Sequence, residues 1–224
     1  MKIMKRFILI LIVSLFVYLF NMCSNNILLV IGTLSCVFII LYKIDKLNHL
    51  HNKTFELTQI AFLASLSTII RCFIKISPNS SGFLPIIILS SSVMDKNYGF
   101  ILGSFSIFIS NIFLGQGVWT PWQMVAAGTV GYMSGFTFYN RKISPAPIYL
   151  TVFYLICIIL IYCPIMNLFS FLLIAKDTNM KGVCTYFLSC LVVDTINLVG
   201  SLPFLYILYN PVVNTIRKTT KIYK

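Results

Sequence analysis

The chain has 224 residues, 58% of them hydrophobic and 10% charged, with a net charge of +12. A soluble globular domain carries about 25% charged residues, so this composition leaves no room for a sizeable soluble domain. Most of the 17 Lys and Arg residues flank apolar runs and form no basic stripe interleaved with aromatics, which argues against a nucleic-acid surface.

The first element is an apolar run at residues 7–20, behind a basic start containing Lys2, Lys5 and Arg6. It has the outline of a signal peptide. No A-x-A pattern follows, and Phe20, Asn21 and Met22 fit a lipoprotein processing site poorly, so an uncleaved first helix is expected. A second run, residues 27–42, completes an N-terminal transmembrane hairpin over residues 1–44. The polar stretch KIDKLNHLHNKTFE then supplies a cytoplasmic linker over residues 45–56. His49 and His51 lie in this linker two residues apart, a spacing that sends them to nearly opposite sides of a helix, and no Cys or carboxylate completes a metal site.

Residues 57–224 hold six further apolar segments, at 57–74, 83–94, 99–114, 123–139, 148–175 and 182–209. Most match the length needed to cross about 30 Å of hydrocarbon. The segment at 83–94 is too short, and it carries Pro85 and the run Ser90, Ser91, Ser92. It is expected as a short, tilted or partly unwound helix, tolerated only where protein surrounds its free backbone groups. The whole reads as an all-α integral membrane protein with about eight membrane segments, one of them short.

Lys and Arg set the expected orientation. With the N-terminus inside, the cytoplasmic segments carry Lys43, Lys46, Lys53, Lys96, Arg141, Lys142, Arg217, Lys218, Lys221 and Lys224 besides the first three cations. The other side receives Lys75, Lys176 and Lys181, with Arg71 nearby in a helix. Both termini are therefore expected in the cytoplasm of a multi-pass protein of the cell membrane, and the polar turn GQGVWTPWQM is expected outside.

That turn packs indoles and amides into an otherwise oily chain. Trp119 and Trp122 suit interfacial anchors, and Gly115, Gly117 and Pro121 suit a turn. The same residues, with Gln116 and Gln123, also suit the aromatic wall and placed polar groups of a small-molecule pocket. Asn111 lies one helical turn before Gly115 and points to the same place.

Small residues recur at helical spacing. Gly99-x-x-x-Gly103 and Gly131-x-x-x-Gly135 suit close internal packing. Ala61-x-x-x-Ser65, with Ala64 and Ser67, suits either packing or a face turned to another subunit. Arg71 and Asp194 are ionisable groups inside apolar segments, where charge is costly. An ion pair between them is the first expectation; ligand contact and proton relay stay open, and Asn197 is placed to join any of these.

Catalytic signatures are missing. The stretch GYMSG contains a serine but no apolar segment contains a His to activate it. H-E-x-x-H and G-x-x-x-x-G-K-[ST] motifs do not occur, so neither metal-dependent chemistry nor ATP hydrolysis by this chain is expected. The cysteines Cys23, Cys36, Cys72, Cys157, Cys163, Cys184 and Cys190 lie almost wholly in apolar runs, where Cys acts as a small hydrophobe. No C-x-x-C occurs, so neither a disulfide framework nor zinc is expected.

From Leu57 onward the chain resembles the substrate-binding S component of energy-coupling factor (ECF) vitamin transporters. The resemblance rests on ELTQIAFLASLSTIIRCF, on YGFILGSFSIFISNIFLGQGVWTPWQM and on AAGTVGYMSG. It implies a six-helix S-component-like bundle over residues 57–224, preceded here by the additional hairpin. It further implies that the protein binds a vitamin or related micronutrient outside and docks on a transmembrane coupling subunit served by two ATPase subunits. It then topples in the bilayer and releases its ligand inside, with no permanently bound cofactor. Ala61, Ala64 and Ser65 would face the coupling subunit, Ser65 standing where the family has the second alanine of Ala-x-x-x-Ala. Val118 stands where proline often occurs. The expected ligand contacts are Asn111, Gln116, Trp119, Trp122, Gln123, Arg71, Asp194 and Asn197. The GQG-x-WTPWQ stretch is similar to S components assigned to cobalamin uptake, so cobalamin is the expected ligand, with queuosine-type nucleobases, riboflavin and other vitamins as alternatives. A non-transport membrane scaffold or assembly protein is the competing class.

Overall fold

The computed structural model describes residues 27–47, 53–73, 82–143, 145–174 and 180–222, all of whose regular structure is helical. The expected first segment at residues 7–20, His49, His51, Lys75 and Lys176 lie outside the described residues. In chain order the helices are α1 (Ile27–Leu47), α2 (Lys53–Phe73), α3 (Phe83–Ser91), α4 (Lys96–Leu114), α5 (Thr120–Ser134), α6 (Pro147–Cys157), α7 (Cys163–Ile174) and α8 (Met180–Ile222). A π-helical turn, Gly135–Asn140, extends α5, and a second, Ile158–Tyr162, joins α6 to α7 without a break. Among the described residues, four stretches are long and apolar enough to cross a membrane: Phe55–Phe73, Lys96–Leu114, Pro147–Leu173 and Gly182–Thr219. The protein is an all-α membrane bundle.

The short segment behaves as its composition requires. Every residue of α3 is buried, and the chain turns out of the helix at Ser92, whose Oγ donates to the Leu89 carbonyl at 2.7 Å. Ser134 Oγ on α5 donates to the Ile88 carbonyl at 2.8 Å, tying this short helix to its neighbour. Protein thus replaces lipid around a helix too short to span it.

The tightest pair is α4 against α5. A methyl group on Gly99 would run into the Gly131 carbonyl, one on Gly131 would meet the Gly99 carbonyl, and one on Gly103 would meet that of Ala127. Both glycine pairs therefore serve internal packing, and Ala127 and Gly128 complete the seam.

Two boundaries differ from the hydropathy reading. The last helix does not stop at Tyr209 but runs to Ile222 through Pro203 and Pro211. At about 1.5 Å per residue, its 43 residues far exceed the bilayer core, so one end projects beyond it. The polar turn is also shorter than residues 115–122, because α5 begins at Thr120 with Pro121 in its first turn. Proline suits that place, where its missing N–H has no helical acceptor and its fixed φ is already helical.

Candidate functional site

Three helix ends converge where α4 turns into α5. Gly115 caps α4 at φ 107, a left-handed conformation natural to glycine, and its N–H donates to the Asn111 carbonyl at 2.8 Å. The chain therefore reverses within a few residues, and the last turn of α4 faces the first turn of α5. The last turn of α2 brings Arg71 against both.

A polar network results. Arg71 Nη1 donates to Ser110 Oγ and, at 2.9 Å, to Asn111 Oδ1, while Nη2 reaches Gln123 Oε1 at 3.5 Å. Asn111 Nδ2 donates to Thr120 Oγ1 at 3.0 Å and to Gln123 Oε1 at 2.9 Å. Ser110, Asn111 and Thr120 are buried. The guanidinium also lies 5.0 Å over the Phe83 ring, within cation–π range. The cation is thus dispersed over neutral oxygens and an aromatic face.

Asp194 is held elsewhere, which corrects the expected ion pair. Its Oδ2 accepts from Asn167 Nδ2 at 2.8 Å, and among the described residues no contact joins it to Arg71. The reason is packing: Arg71 finds its partners on α4 and α5, whereas the Asp194 stretch of α8 faces α7. Asp194 opens on a crevice of about 830 Å³ between α7, the preceding π-helical turn and α8. Ile159, Pro164, Phe187, Leu188, Leu191 and Leu198 make it apolar, and Cys163, Asn167, Cys184 and Thr195 add its remaining edges. Asn197 is not among these lining residues, although Ser201 Oγ donates to its carbonyl at 2.7 Å.

The two tryptophans separate. Trp119, 39% exposed, lays its ring against Gly117, where a methyl group would come within 2.5 Å of it. Gly117 therefore makes room for the chain's own indole. Trp122, 6% exposed, turns inward and meets Phe169 of α7 at 5.7 Å between ring centroids. They do not form two walls of one cleft, because Trp122 belongs to the helix and follows its inward face. Its Nε1 is buried and has no hydrogen-bond partner among the described residues. Gln116 remains exposed and donates to the Phe108 carbonyl at 3.0 Å.

Aromatics link the network and the crevice. The ring of Phe83 that carries Arg71 meets Tyr162 edge-on at 6.1 Å, and Tyr162 immediately precedes Cys163 of the crevice. Trp122 against Phe169 is a separate aromatic contact between α5 and α7. Sequence reasoning missed Ser110, Thr120, Asn167 and Tyr162. The available signal was a polar residue inside an apolar run, as Asn167 is in PIMNLF.

On α2, the expected docking trio divides. Ala61 and Ser65 are exposed beside Phe62, itself 67% exposed, whereas Ala64 is fully buried in the core. Successive helical residues turn by about 100°, so Ala64 and Ser65 face different surroundings. Ala64 is corrected to a packing residue.

A family model described as ECF-type riboflavin transporter, S component, matches residues 51–210 of the chain. No curated protein and no solved structure gives a significant match.

Proposed function

Because the chain belongs to the S components of ECF-type riboflavin transporters, the substrate-specific membrane subunits of vitamin transporters, we propose that it captures a flat heteroaromatic vitamin, riboflavin first, at the convergence of α2, α4, α5, α7 and α8. The observation that carries this reading is the half-buried Arg71 cation held by neutral acceptors, joined through Phe83 and Tyr162 to the Asp194 crevice. Apolar walls with a few fixed polar groups are what a small heterocycle requires. Arg71, Asn111 and Gln123 would orient carbonyl or ring-nitrogen acceptors. Trp122 Nε1 would offer a donor that has no partner among the described residues, Asn167 and Asp194 would face imide or hydroxyl donors, and exposed Trp119 and Gln116 would meet the ligand on entry. Asn197 is proposed as an adjoining contact.

The family match gives no support to cobalamin, whose case rests on the GQG-x-WTPWQ stretch alone. Cobalamin therefore serves as the comparison ligand. As an S component the chain works with a coupling subunit and ATPase subunits. We assign the Ala61–Ser65 face to the coupling subunit, and place the 115–119 turn outside the cytoplasmic membrane with both termini inside. Residues 1–44 are assigned as a membrane anchor appended to the 57–224 binding domain through the 45–56 linker, whose ends are helical as the last residues of α1 and the first of α2. Catalysis by the chain is not part of this proposal.

The test is native mass spectrometry of gently purified protein, followed by titration with riboflavin and with cobalamin. Riboflavin is expected to bind, and Trp119→Ala to weaken it by roughly tenfold, a loss of about 1.4 kcal/mol. Binding of cobalamin without riboflavin overturns the ligand assignment. Binding of neither, with no vitamin-like molecule co-purifying, overturns the site.

A further inference from the structure

The bundle holds the two halves of α8 very differently. From Gly182 to Asn197 no residue is buried, whereas Ser201, Leu205, Val212, Val213 and Ile216 all are. The second half packs on α3, and the Phe204 ring fills the space beside Gly82, where a methyl group would come within 2.7 Å of it. Thr151 Oγ1 of α6 lies 3.1 Å from Tyr206 Oη, and Ser201 lies beside the Tyr154 hydroxyl of the same helix. The first half is held to α7 by Asn167 Nδ2, which donates to Asp194 at 2.8 Å, and by Phe171, whose ring centroid lies 5.6 Å from that of Tyr186 and 6.0 Å from that of Phe187. Asn167, Phe187 and Asp194 also line the crevice between the two helices.

The helix is weakest where these halves meet. Pro203 has no N–H, so the Val199 carbonyl lacks its helical donor and is crowded by the pyrrolidine ring. Gly200 lowers helix propensity, and Ser201 Oγ donates back to the Asn197 carbonyl at 2.7 Å, a bond that bends helices. Proline and Gly/Ser pairs are the usual causes of kinks, and here both fall within Gly200–Pro203, just past the crevice residue Leu198. Pro211 leaves a similar gap at the Ile207 carbonyl, but buried Leu205, Val212 and Val213 hold the chain on both sides of it. Given the crevice as a ligand site, as in the function proposed above, we propose that α8 hinges at Gly200–Pro203 and that its first half is the movable wall of that crevice, swinging away from α7 to admit and release ligand. The stretch from Met180 to the hinge rises roughly 30 Å, so a bend of about 20° carries its far end roughly 10 Å. At Asp194, nearer the hinge, the same bend moves the chain roughly 3 Å, enough to part the carboxylate from Asn167. A ligand touching both helices favours the closed position.

The experiment uses the full chain in lipid nanodiscs, its native thiols replaced, with spin labels on cysteines introduced at exposed positions. Ile112→Cys on α4 is combined either with Val192→Cys in the first half of α8 or with Ile207→Cys in the second. Electron–electron double resonance reads the two distance distributions with and without riboflavin. The Val192 distribution is expected to be broad without ligand and to narrow with it, while the Ile207 distribution stays narrow throughout. A Val192 distribution as narrow as that of Ile207 in the ligand-free protein overturns the hinge. Breadth that persists in protein saturated with riboflavin overturns the movable wall. A broad Val192 distribution in protein that binds no riboflavin supports the hinge and overturns the ligand reading instead. Pro203→Ala combined with Gly200→Ala restores the missing N–H and the helix propensity. It should narrow the Val192 distribution and slow riboflavin association and release together by roughly tenfold. Unchanged rates in this variant, once folded, also count against the hinge as the route of entry.

Discussion

Arg71 is held by Asn111 at 2.9 Å, and Asn111 passes the connection on through its own amide to Thr120 and Gln123. One asparagine thus joins three helices by accepting with one end and donating with the other. Replacing it by Leu leaves the guanidinium and the Gln123 oxygen short of partners in a buried place. The expected cost is about 1–3 kcal/mol. Thermal or denaturant unfolding in detergent measures it, and a neutral outcome would mean that water substitutes freely for the amide.

Arg71 and Asp194 have separate partners, so their losses should add. In a double-mutant cycle of Arg71→Ala and Asp194→Ala, the stability changes are expected to sum within about 0.5 kcal/mol. A larger coupling would show that the two charges meet in the folded protein.

The division of the α2 trio predicts opposite phenotypes for two alanines one turn apart. Ala61→Trp should leave folding and ligand binding intact while lowering transport by the assembled complex, because it enlarges an exposed face. Ala64→Trp should impair folding itself, because Ala64 has no space around it. Similar stability for both variants would contradict the assigned faces.

The α4–α5 seam is intolerant of bulk. Gly131→Leu forces a side chain against the Gly99 backbone, and overpacking of this kind costs about 1–3 kcal/mol or more. Reduced yield of folded protein and a lower unfolding temperature are expected, while Gly115, with nothing near its missing side chain, should respond through its φ of 107 alone.

Orientation is tested by labelling. Cysteine introduced at Gln116 should react with an impermeant reagent in sealed cells, and cysteine at Asn140 should not, since the two lie at opposite ends of the α4–α5 pair. Native thiols are first silenced by substitution. Labelling at Asn140 with protection at Gln116 would invert the proposed topology.

The sequence by itself determined the membrane character, most helix positions and the shortness of α3. Those follow from local properties: run length, charge and the conflict between a nine-residue helix and a 30 Å hydrocarbon layer. The glycine pairs were legible for the same reason, since a missing side chain at every fourth residue has few uses besides close approach. Much of the candidate site was nameable as residues, but the partnerships among them were not. Intramembrane charge pointed to Arg71 and Asp194 without saying that α4 and α5 amides would reach the arginine first. The turn pointed to both tryptophans, yet an α5 that starts at Thr120 sends Trp122 inward to Phe169 and leaves Trp119 outside. Composition cannot decide such matters, because a buried polar group takes whichever partner the converging helix ends present, and helical phase, advancing about 100° per residue, sends neighbours such as Ala64 and Ser65 to different faces.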